Sequence, residues 1–190
     1  MKKETICAAF PEKCHMAAAA IGAHVFSRPY RHLSTGGMFS AIIDNECIRA
    51  PYRMYCEYSR SRIDRSPDPL QRILLSCLFS RHYDGYVRED CIRKILENPH
   101  DAEPFVIPYI LKAAEEYVVS ITVLVEERLP MFPPHPLARF LAENPRWLPL
   151  MRSRCASYWN CYHRHDYPKL ADYPGERLVL FLSGMSCSRI

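Results

Sequence analysis

The chain has 190 residues, 48% of them hydrophobic and 24% charged. That balance calls for a packed core and excludes disorder throughout. A net charge of +4 is too small to imply nucleic-acid binding by itself. No apolar run reaches the roughly 18–20 residues of a membrane helix, because the best stretch, Phe105 to Val125, carries Lys112, Glu115 and Glu116.

Residues 1–66 are the least regular part and are expected to pack on, or hang from, a helical core. Lys2, Lys3 and the run Ala17 to Ala20 invite comparison with a secretion signal, but Glu4, Glu12, Lys13 and His15 make the segment too polar. Lys13 to Val25 reads as an Ala-rich helix. Gly36-Gly37 reads as a turn, and Phe39–Ile43 and Tyr52–Tyr58 as short strands or irregular chain. The stretch Ser59 to Pro69 reads as a linker or exposed loop.

Residues 67–190 form the expected helical domain. Asp68 is a candidate N-cap with Pro69 at the first helical position, followed by the stripe Leu70, Ile73, Leu74, Cys77, Leu78. A second helix runs from about Tyr86 to Glu97 with Val87, Cys91, Ile92, Ile95 and Leu96 on its face; Asn98-Pro99 stops it. A third spans about Pro104 to Leu129. Its stripe includes Ile107, Ile110, Leu111, Ala114, Tyr117, Val118, Ile121 and Val125, with Glu115 and Glu116 off the stripe; Pro108 must fall in the first turn or bend the helix. Pro130 to Pro136 reads as a stiff extended connector. A short helix follows over Leu137–Glu143. A fifth runs from Pro145 to Arg164 with Trp147, Leu148, Met151, Cys155, Tyr158, Trp159 and Tyr162 inward. Leu178 to Leu182 is wholly apolar, and its period does not separate strand from helix.

The segment Asp84-Gly85-Tyr86-Val87-Arg88-Glu89-Asp90-Cys91-Ile92-Arg93-Lys94-Ile95-Leu96 resembles the inner-helix signature of HEAT-type repeats. There an Asp-containing turn precedes Val-Arg and apolar residues at helical spacing. Pro104 to Leu111 resembles the opening helix of a next unit. The motif occurs once, with Cys91 at a position usually small. The expected fold is therefore mainly α: an irregular helical bundle, or a short HEAT-like helical array, with a less regular N-terminal segment.

Nine cysteines, an odd number with no C-x-x-C pair, read as reduced and mostly buried thiols of a cytoplasmic protein. Charge is segregated. Six arginines between Arg49 and Arg72 face three acids, five basic residues between Arg146 and Lys169 face Asp166 alone, and the acidic centre lies at Asp84–Arg128.

Two segments interleave aromatics with arginine, Tyr52 to Arg65 and Trp147 to Arg164. Arg60, Arg62, Arg65, Arg152, Arg154, Trp159 and Arg164 are the candidate contacts, either to a protein partner or to nucleic acid, where aromatics stack on bases and Arg meets phosphate. Cys161 and His165, four apart on a helix, are weak candidates to share a metal, since zinc needs three or four ligands. Glu12–His15 and Glu97–His100 repeat E-x-x-H, but Pro99 interrupts the second. There is no G-x-S-x-G, H-E-x-x-H or phosphate-binding loop, and no cofactor is implied. The expected role is a protein-interaction module, with nucleic-acid binding and a Cys/His or metal site near Cys161–His165 as alternatives.

Overall fold

A computed structural model gives the architecture; it describes residues 3–25, 37–64, 66, 68–99 and 102–187. The expected Gly36, Arg65, Pro67 and His100 features lie outside the described residues. The fold is mainly helical, as the sequence periodicity implied. The chain divides into two compact units, Met1–Ile95 and Leu96–Ile190.

The first unit opens with α1 (Lys3–Cys7), a 3₁₀ turn at Glu12–Cys14 and α2 (His15–Val25). A hairpin follows, β1 (Met38–Ile43) against β2 (Glu46–Pro51), antiparallel in the register Met38↔Pro51 to Ile43↔Glu46. Asp44 and Asn45 close it with φ of 52° and 66°. Those left-handed values match the twist of a two-residue hairpin loop, and Asp and Asn tolerate them best among residues other than Gly. Alternation buries Phe39, Ala41 and Ile43 together with Ile48 and Ala50. Of the two readings open for Tyr52–Tyr58, strand or irregular chain, the second holds, with a parallel bridge from Met54 to His82.

After α3 (Arg60–Asp64) comes α4 (Pro69–Phe79), capped as its sequence dictates: Leu70 N donates to Asp68 Oδ1 at 2.9 Å. α5 (Gly85–Ile95) packs along α4 through Val87, Cys91, Ile92 and Ile95.

In the second unit a 3₁₀ turn (Pro104–Val106) leads into α6 (Ile107–Ala114), every residue of which is buried, and then α7 (Val119–Arg128). The single helix expected over Pro104–Leu129 is thus two. Glu115 N still reaches Leu111 O, but Val118 is extended, with φ −83° and ψ 93°, and the register restarts. Thr122 Oγ1 donates to Ala114 O at 3.0 Å, satisfying a carbonyl that a continuous helix would have bonded by backbone. The break turns Glu115 and Glu116 inward and leaves Tyr117 outward, the reverse of the continuous-helix expectation.

The proline connector also differs, since a 3₁₀ turn at Leu129–Met131 is followed by α8 (Pro134–Glu143), which starts inside the proline run. Prolines need no backbone donor in a first turn. α9 (Trp147–Tyr158) continues into a π-helical turn, Trp159–His163. The apolar run Leu178–Leu182 is helical, within α10 (Pro174–Cys187), which packs against α7, α8 and α9. Arg177 fastens α10 to α7 by a fork onto Glu126, Nε to Oε1 at 2.5 Å and Nη2 to Oε2 at 2.7 Å. Among the described residues no helix is long and apolar enough to cross a membrane.

Candidate interaction surface

The second Arg/aromatic segment forms a built surface in the Leu96–Ile190 unit. Trp147, Met151 and Cys155 face the core of α9 as expected. The wider π turn then moves the inward position on by one residue, so His163 is buried and Tyr162 is 65% exposed. His163 shares a hydrogen bond between Nε2 and Tyr117 O at 3.0 Å, and its ring lies over Tyr173, 5.5 Å between centroids. That anchor fixes the π turn against the break between α6 and α7. It gathers Tyr117, Tyr158 and Tyr162 into a cluster with centroid separations of 6.2, 6.3 and 6.1 Å. Tyr117 is 47% exposed. Trp159 is held by its indole N–H, which donates to Tyr167 O at 2.8 Å. The Arg164 guanidinium sits 5.2 Å from the Trp159 ring centroid and donates to Asn160 Oδ1 at 3.1 Å.

The neighbouring arginines are committed elsewhere. Arg152 Nη2 bonds Glu176 Oε1 at 2.7 Å, and Arg154 Nη1 bonds Glu115. Glu115 also takes Lys112 Nζ at 2.6 Å, and Lys112 lies 5.1 Å from the Trp147 ring centroid. Glu115 and Glu176 are buried while Arg152 and Arg154 are 59% and 35% exposed, so these arginines reach from the surface onto interior carboxylates. Arg164 has no carboxylate partner among the described residues.

The first Arg/aromatic segment is organised differently. Arg60 meets Asp64 at 3.8 Å and Asp90 at 3.3 Å, the same carboxylates that Lys94 engages. The side chain of Arg62 and all of Arg65 lie outside the described set. Tyr58 donates to Asp90 at 2.5 Å. Tyr55 and Tyr83 stack almost parallel at the surface, 5.5 Å between centroids and 9° between planes.

Three residues hold that region, and the sequence reading gave them no role there. Arg81, fully buried, donates to Tyr52 O at 2.8 Å and faces the Phe39 and Tyr52 rings. Arg88, also fully buried, donates to the carbonyls of His82 and Tyr83, both at 2.9 Å. His82 accepts from Asp84 N at Nδ1, 3.1 Å, so Nε2 carries the proton that it donates to Cys56 O at 2.7 Å. Burial, with Arg88 and Arg53 nearby, holds the His82 pKa below its ordinary value, against the opposing pull of the Cys56 carbonyl and Asp84. A buried arginine follows no hydropathy period; the sequence signals were the Asp84-Gly85 turn and, for Arg88, its place in the HEAT-type segment.

No family model, curated protein or solved structure matches this chain.

The chemistry of the surface therefore rests on its own residues. Cys161 is exposed, and His165 is 98% exposed with Nδ1 3.3 Å from Asp166. Among the described residues no three His, Cys, Asp or Glu side chains are placed to hold a metal. Burial pushes the thiols of Cys56, Cys91 and Cys155 up to about 12 and Cys77 well above its usual value. Thiols in that state are poor nucleophiles. The three tyrosines offer a largely apolar contact area, and Arg164 over Trp159 offers an ordered cation apart from it.

Proposed function

We propose that this chain is a protein-interaction module of helical-bundle or helical-repeat type, docking a protein partner through Tyr117, Tyr158, Trp159, Tyr162 and Arg164. The carrying observation is that the π turn points Tyr162 outward beside two further tyrosines while His163 locks the turn from below. Tyr, Trp and Arg dominate interface hot spots, because rigid rings bury much area for little loss of side-chain freedom. The HEAT-type resemblance falls on α5, which lies along α4 as an adjacent helix pair. Buried thiols suit a reducing cytoplasm.

A protein partner is favoured over nucleic acid because Arg60, Arg152 and Arg154 are already engaged by carboxylates of their own unit. Phosphate recognition needs several cations in register. The test compares proteins captured from one lysate by the wild-type chain and by Tyr162→Ala, both checked for fold by circular dichroism. A protein retained only by the wild type supports the reading. Identical capture by both removes it. Gel retardation of mixed DNA and RNA that weakens with salt and with Tyr162→Ala transfers the surface to nucleic acid.

A further inference from the structure

We infer that Tyr55 and Tyr83 form an oxidative modification site, where a peroxide-driven one-electron oxidant couples the two rings into dityrosine. The bond would staple the irregular chain around Met54 to the turn between α4 and α5. Backbone register builds the site. Met54 N donates to Arg81 O at 2.6 Å and Tyr83 N donates to Met54 O at 2.8 Å, which pairs Met54 with His82 in a parallel bridge. The next residue on each segment is a tyrosine, so the same register sets Tyr55 beside Tyr83. Their rings lie 5.5 Å between centroids and 9° between planes, and both side chains are exposed. The flanking backbone is held as well. Cys56 O accepts from His82 Nε2 at 2.7 Å, and Tyr83 O accepts from Arg88 Nη1 at 2.9 Å. The His82 ring backs Tyr83 at 4.4 Å. The two main chains are therefore fixed, while exposed side chains still turn on a fast timescale and can bring their edges together.

Each phenol gives up one electron and its hydroxyl proton, leaving two phenoxyl radicals. A carbon–carbon bond forms between one Cε of each ring. The hydrogen on each joined carbon then leaves as a proton, each phenolic oxygen regains one, and both rings are aromatic again. The pair has lost two hydrogens in all, which reduce one hydrogen peroxide to two waters. Holding the reacting groups side by side makes the coupling effectively unimolecular. Other tyrosine pairs lack one of these features. Tyr167 and Tyr173 are 5.6 Å apart, but their planes cross at 73° and Tyr173 is buried. Tyr117, Tyr158 and Tyr162 lie 6.1 to 6.3 Å apart and are tilted by 30° to 57°.

The test treats the dilute full chain with a haem peroxidase and limiting hydrogen peroxide, then separates monomer from oligomer. The expected product is a monomer lighter by two hydrogens that shows the blue fluorescence of dityrosine. It survives a thiol reductant that would open a disulfide, and its digest joins the peptides holding Tyr55 and Tyr83. Tyr55→Phe and Tyr83→Phe, each checked for fold by circular dichroism, are expected to lower the monomer signal at least about tenfold, because the remaining phenol has no partner held beside it. The cross-linked monomer should also unfold at higher urea than the untreated chain, since the bond closes a loop in the unfolded state. Coupling only between molecules, oxidation confined to cysteine, a link mapped to other tyrosines, or a monomer signal that persists in Tyr83→Phe overturns the inference. So does a cross-linked monomer with a lowered urea midpoint, which would show that the rings had to be forced together.

Discussion

Replacing Glu115 is the sharpest test of how the Leu96–Ile190 unit is built. Its side chain is 1% exposed and takes Lys112 Nζ at 2.6 Å together with Arg154 Nη1. Glu115→Ala deprives the Lys112 ammonium, itself 6% exposed, of that carboxylate. Breaking a buried pair in this way costs about 3–5 kcal/mol, because the remaining charge stays desolvated. Arg154 is 35% exposed and can turn to water, so the lower end of that range applies. At a urea slope of about 1–3 kcal/mol/M, a loss of about 3 kcal/mol lowers the midpoint by about 1–3 M. Urea titration followed by far-UV circular dichroism reads this directly. A loss below about 1 kcal/mol, the scale of a solvent-exposed pair, would mean that Glu115 faces water as it would on an unbroken helix, and the fold as described would be wrong.

Other expected outcomes follow from the same contacts. Arg139→Ala, which removes an exposed i,i+4 pair with Glu143 at 3.2 Å, should cost no more than about 0.5 kcal/mol in the same titration. Asp68→Ala removes the cap of α4 and should cost about 1 kcal/mol; no measurable change would show that the cap is not formed. His82 has a folded pKa below its usual 6.5, so the unfolded chain binds the extra proton first on acidification. Its contribution is complete above about pH 6.5 and is lost as pH falls below that toward the folded pKa. The urea midpoint of the wild type should therefore drop more steeply below pH 6.5 than that of His82→Gln, and parallel profiles would contradict the described role of His82.

Much of the fold was legible wherever apolar spacing alone decides the element. α4 and α5 came directly from their stripes, and the α4 cap from Asp68-Pro69. Period failed where a local backbone event resets it. Nothing in Pro104–Leu129 marks a break: Glu115 and Glu116 are good helix residues, and the turn is held by Thr122 reaching back eight residues to Ala114 O. Likewise the apolar spacing that put Tyr162 inward assumes 3.6 residues per turn, and the π turn at Trp159–His163 gives the buried place to His163. Of the candidate contacts, Trp159 and Arg164 come together, whereas Arg60, Arg152 and Arg154 turn to carboxylates far away in sequence. Composition counted the arginines correctly, but which ones are already neutralised is decided by tertiary pairing.

The role of the tyrosine cluster is tested most directly by replacing Tyr162 with the photocrosslinker benzoylphenylalanine and irradiating the chain in a lysate, beside a chain carrying the same group at Arg139, exposed in the same unit. The expected result is a discrete protein adduct from position 162 that position 139 does not form. The same adducts from both positions, or an adduct at 162 that nuclease removes, would contradict a protein-docking role for this surface.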